Sequence, residues 1–143
     1  MILKPNTQFE GYTLTRQMGK STPYREMFHA VNEWGQDVAL IVYDMNKLPE
    51  CYNGIVPELE LIPVLSQDVF PKFQDKGFVN YETNSLRWVA TQYINGTSLT
   101  ECIEQDRPFP VKEALEKFYG ILVAVKEISW RLNKGSHNNI NTD

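Results

Sequence analysis

The chain has 143 residues, with 14 Lys and Arg against 18 Asp and Glu and a formal charge of −4; its cations are scattered, which argues against a nucleic-acid surface. Hydrophobic residues at 42% and charged residues at 22% set overall disorder aside and suit one domain able to bury a core. No stretch approaches the roughly 18 apolar residues of a membrane span, and the opening MILKPNTQFEGY has too short an apolar run for a signal peptide, so a cytoplasmic location is expected.

From the N-terminus, FEGYTLTRQM (9–18) reads as a strand anchored by Phe9, Tyr12 and Leu14. GKSTP follows as a turn. EMFHAV (26–31) leads through NEWGQD, a hairpin connection around Gly35, into VALIVYD (38–44), the strongest strand signal in the chain. Read at period two, that strand puts Val38, Leu40 and Val42 on one face and Ala39, Ile41 and Tyr43 on the other. Both faces are apolar, so something must cover the second one or a ligand must fill it. Trp34, beside Gly35, is expected to fold back over the sheet, with an exposed partner contact as the alternative.

Residues 44–56 show no period and contain Pro49 and Gly54, which predicts a loop. PELELIPVLSQD starts as a helix, with Pro57 in the first turn and Glu58 and Glu60 near its positive end, but Pro63 should break it. KFQDKGFVNYE and SLRWVATQYI form a hairpin about ETNS, for five strands in all. Ser98 with Glu101 three positions on matches a capping box. DRPFP interrupts, and 111–133 is one long helix whose apolar arc is wider than a single stripe, stopped by Lys134 and Gly135. Gly120 within it costs about 1 kcal/mol relative to alanine. The division expected is a sheet domain over 1–94 followed by 95–143 as one unit of hinge, short helix, long helix and tail.

Isolated residues carry little chemistry. Cys51 and Cys102 match no metal or redox spacing and are read as free thiols of a reducing compartment. NGT at 95–97 is a plain turn. His29 has no Cys, His or acid cluster about it in the sequence and is read as a surface or packing histidine. Glu101, Glu104 and Asp106 form a solvated face.

The order of elements, an α+β arrangement of a five-stranded antiparallel sheet with one short helix and then a short and a long apolar helix, resembles a protein-kinase small lobe and the first helices of the large lobe. MGKSTPYREMFHA resembles the glycine-rich loop, VALIVYD the third-strand V-A-x-K, VATQYINGTSL the fifth strand and hinge, and SHNNINTD the start of the catalytic loop. The resemblance implies a nucleotide cleft at Gly19, Ala39, Gln92, Tyr93 and Ile94. In active kinases a glycine-rich loop admits the phosphates, a third-strand lysine binds them and pairs with a helix glutamate, and a catalytic-loop aspartate accepts the substrate proton.

This chain departs at each point. Gly19 is the only glycine of its loop, with Ser21 and Tyr24 at the next glycine spacings. Ile41 falls at the lysine position and offers no charge to a polyphosphate. Lys20 is the only nearby replacement this reading finds, and Glu58 and Glu60 lack the usual cation partner. His137 is the motif histidine, Asn138 replaces the usual arginine, and Asn139 stands where the aspartate belongs; an amide is no general base near neutral pH. No D-F-G segment is present in the sequence.

The reading is therefore a catalytically inactive, pseudokinase-like module or fragment. It needs no cofactor, with ATP a possible ligand and no metal expected, and acts through a protein partner or a homodimer on the apolar helix 111–133, with no nucleic acid and no membrane. The alternatives are the N-terminal part of a noncanonical serine/threonine kinase or a nucleotide-binding sensor, and an unrelated α+β interaction domain.

Overall fold

Alternating apolar residues on successive short segments pair into a single curled antiparallel sheet. Its strands are β1 (Gln8–Phe9), β2 (Tyr12–Met18), β3 (Arg25–Val31), β4 (Asp37–Asp44), β5 (Phe73–Tyr81) and β6 (Asn84–Gln92), in the spatial order β1-β2-β3-β4-β6-β5. The computed structural model describes residues 3–66, 68–105 and 109–132; the helix stop at Lys134 and Gly135, and His137, Asn138 and Asn139, lie outside the described residues.

There are six strands rather than five because the run 9–18 doubles back on itself. Glu10 and Gly11, with φ of 49° and 85°, form a two-residue turn that pairs Phe9 with Tyr12. Positive φ at both central positions matches the right-handed twist of the flanking strands. Gly11 was the available signal, but a glutamate at the preceding left-handed position hid it.

The two faces of β4 are buried by different partners. Val38, Leu40 and Val42 join Leu14, Phe28 and Trp88 in one core, to which Leu3 of the N-terminal segment adds. Tyr43 and Ile41 belong to a second cluster with Val89, Val56 and Leu59. Each fully buried side chain of this kind contributes roughly 1.5–3 kcal/mol. Segment 45–62 covers that second face. Residues 44–56 were expected to be loop and instead hold two 3-10 turns, Met45–Lys47 and Glu50–Tyr52, before the short helix α1 (Pro57–Leu61) that starts at Pro57 as expected. The first turn is fixed by Asp44, whose buried carboxylate accepts from the Asn46 N–H at 3.1 Å and pairs with Lys47 at 2.9 Å. α1 gives way to a 3-10 turn over Ile62–Val64 because Pro63 has no N–H to continue it.

The β3–β4 connection is closed by the Asn32 side chain, which accepts from the N–H groups of Trp34 and Gln36. That closure turns Trp34 outward, 75% exposed, and corrects the expectation that it folds back over the sheet.

The chain divides into two compact units, residues 1–63 with 71–94 and residues 64–70 with 95–143. In the second, α2 (Leu99–Glu104) starts with the expected capping box: Ser98 Oγ accepts from Glu101 N–H at 3.1 Å, and Ser98 N–H donates to Glu101 Oε2 at 2.8 Å. α3 (Val111–Leu132) is tied to segment 64–70 by Ser66 N–H donating to Glu127 Oε1 at 2.6 Å. Val111, Leu115, Phe118 and Leu122, one stripe of α3, are exposed. Among the described residues, no helix is long and apolar enough to cross a membrane.

Candidate functional site

All five positions of the expected nucleotide cleft fall in the first unit: Gly19 between β2 and β3, Ala39 in β4, Gln92 at the end of β6, and Tyr93 and Ile94 just after it. At one end lies Ala39, half-buried and in register between His29 of β3 and Thr91 of β6. Over this end, the Tyr93 ring lies 4.3 Å from the His29 ring at a 39° tilt, and Arg16 donates to the Tyr93 hydroxyl at 2.7 Å. His29 is itself held, Nε2 against Asp37 Oδ1 at 2.7 Å and Nδ1 against Thr15 Oγ1 at 2.7 Å. Thr15 reaches it because an extra residue bulges β2 between Leu14 and Arg16. Gln92 N–H donates to Lys72 C=O at 2.8 Å, so that group is engaged within the fold, and Ile94 is exposed. His29 is a packing residue as expected, but its ring contact with Tyr93 joins positions far apart in sequence and left no local signal.

At the other end stands Ile41, opposite Met27 and packed against the second apolar cluster. Tyr24, at a glycine spacing of the loop that resembles the family's glycine-rich one, packs on the same cluster, its ring 5.7 Å from that of Tyr52. Gly19 turns at φ 60°, a conformation that favours glycine, while Lys20 is exposed. Glu60 is 3.9 Å from Lys76 of β5, and Glu58 is half-buried, where its charge acts on Tyr43 and Tyr52. The cation that sequence reasoning passed over is Arg25, whose Nε donates to the buried Tyr43 hydroxyl at 3.3 Å. Only the cross-strand register that sets Arg25 beside Tyr43 reveals it.

Tyr43 and Tyr52 hold their protons tightly. Burial first, then the Glu58 charge, raises Tyr43. Tyr52 is pushed up to about 12, chiefly because its hydroxyl donates to Tyr24, with burial next. A raised native value leaves stability intact below the ordinary value of 10.0 and removes it as pH climbs towards 12, because the unfolded chain releases the proton first. The wild type is therefore expected to lose stability between pH 10 and 12, and Tyr52→Phe to flatten that slope, as followed by urea midpoints across the range. An unchanged slope in the variant would remove Tyr52 from the account.

These features define a protein-kinase-like fold built around the small-lobe sheet. Among solved structures, the kinase domain of PknI from Mycobacterium tuberculosis is similar at 22% identity and a TM-score of 0.72, covering 98% of this chain and 55% of that one. A variant of that kinase domain gives 23% identity and a TM-score of 0.73, covering 99% and 57%. The chain thus spans just over half the length of the kinase domains it matches. No protein-family model and no curated protein sequence matches it.

Proposed function

We propose that the chain is a catalytically inactive protein-kinase-like module that acts in the cytoplasm through protein contacts. One observation carries this reading: Ile41 and Tyr24, at the lysine and glycine-loop positions, pack into the same apolar cluster, where a polyphosphate would need a cation and open backbone. Phosphoryl transfer depends on positioning and electrostatics, and this end of the cleft supplies an isoleucine and tyrosines. Asn139 as a replacement for the proton acceptor adds to the same reading. The exposed stripe of α3 is the surface on which a protein partner or a second copy would dock.

The test is a thermal-shift titration with ATP and magnesium, with a transfer assay on labelled ATP. The melting temperature is expected to stay constant and no label to move. A rise of several degrees that grows with nucleotide concentration would overturn the reading. The second reading, part of a noncanonical kinase or a nucleotide-binding sensor, is favoured by Arg25, a cation beside Tyr43 on the same strand face as Ile41. On that reading the nucleotide shift appears in the wild type and is lost in Arg25→Gln.

A further inference from the structure

Strand β5 ends the sheet, and its outer backbone groups have no neighbouring strand among the described residues. The register identifies them. Tyr81 pairs with Asn84 across the two-residue turn at Glu82 and Thr83, and Gly77 and Val79 pair with Trp88 and Leu86. In an antiparallel hairpin of this type the residues flanking the turn exchange both bonds, so alternate residues face the partner strand. Phe78 and Asn80 therefore turn N–H and C=O to the open side. The Lys76 N–H is already engaged by Asp75 Oδ1 at 2.8 Å, beside the bulge at Gln74.

Open edges are normally kept short or interrupted by charge or proline. The opposite edge, β1, is two residues long, whereas β5 has nine. GFVNY at 77–81 contains neither charge nor proline, and Phe78 is 56% exposed.

We propose that this edge docks a second copy of the chain, β5 on β5, antiparallel about a two-fold axis at Phe78. The free groups are those of an extended strand and call for another extended strand. The order of charge selects the copy: the neutral stretch has Lys76 before it, with the Asp75 carboxylate spent on the Lys76 N–H, and Glu82 after it. Antiparallel self-pairing brings the Lys76 end of each β5 to the Glu82 turn of the other copy, whereas parallel pairing sets like on like. Lys76 Nζ donates to Leu59 C=O at 3.3 Å and lies 3.9 Å from Glu60, which leaves one of its three donors for this contact. The two Phe78 side chains meet on the axis, their backbones exchange a pair of bonds, and each Asn80 N–H donates to Lys76 C=O across the axis. None of its residues belongs to the stripe on α3.

Sedimentation velocity of the full chain over a hundredfold concentration range tests it, with amide exchange as a second readout. The wild type is expected to associate, with protection at Phe78 and Asn80 rising with concentration. Phe78→Glu, which sets two carboxylates on the axis, and Asn80→Pro, which removes an outward N–H, are each expected to weaken association at least tenfold. Glu33→Gln, in the exposed β3–β4 turn, is expected to leave it unchanged, and Phe118→Glu reports separately on α3. A wild type that is monomeric throughout, or β5 variants that associate as the wild type does, would overturn the proposal. Association lost in Phe118→Glu alone would also overturn it and assign docking to the helix, and neither result bears on nucleotide binding.

Discussion

Replacing Gly77 with alanine is expected to destabilise the fold by about 2–3 kcal/mol, in the range of overpacked core sites. Gly77 sits opposite Trp88, and a Cβ there would lie 2.6 Å from two carbons of the indole ring and 2.7 Å from its nitrogen. The ring is hemmed in. It is 5% exposed and meets Tyr12 edge-on at 5.5 Å, so it cannot retreat without disturbing the first core. Urea denaturation of Gly77→Ala, Trp88→Leu and the double variant checks this. The double variant should be more stable than the sum of the two single losses predicts, because leucine vacates the space that the new methyl needs. Strict additivity would show that the close approach carries no strain.

The Ile41→Lys substitution, which restores the charge the resembling family keeps, is expected to cost about 2 kcal/mol rather than to confer activity. Ile41 packs on the cluster of Tyr43, Val56, Leu59 and Val89, so a lysine there must desolvate its ammonium or pull it out of contact. In an open nucleotide cleft the same lysine would face solvent and cost little. Thermal denaturation with and without ATP and magnesium distinguishes the two: a filled site gives a lower melting temperature and no nucleotide response, and an open site gives the reverse.

Much of the architecture was legible because it rests on local pattern. The two apolar faces of 38–43 required two covers, and two cores cover them. Pro63 announced a truncated helix, and Ser98 with Glu101 announced the start of α2. What was hidden had no period to betray it. Segment 45–62 covers the second face through Met45, Leu48, Val56 and Leu59, whose spacing follows irregular turns rather than a helix or strand. The turn at Glu10 passed for strand because glutamate seldom adopts a left-handed conformation. At the candidate site, the replacement at position 41 was readable as a residue type, but its cluster partners Tyr24 and Val56 come from separate segments. Likewise, nothing in FHA or TQYI says that His29 and Tyr93 will meet.

The bond from Arg16 to the Tyr93 hydroxyl joins residues 77 positions apart. Closing so large a loop is an entropic demand that grows only logarithmically with its length, but one hydrogen bond cannot meet it alone. The tether is affordable only after the intervening hairpins have shortened the path between its ends. It therefore acts as a late fastener on an assembled sheet rather than as a seed for one.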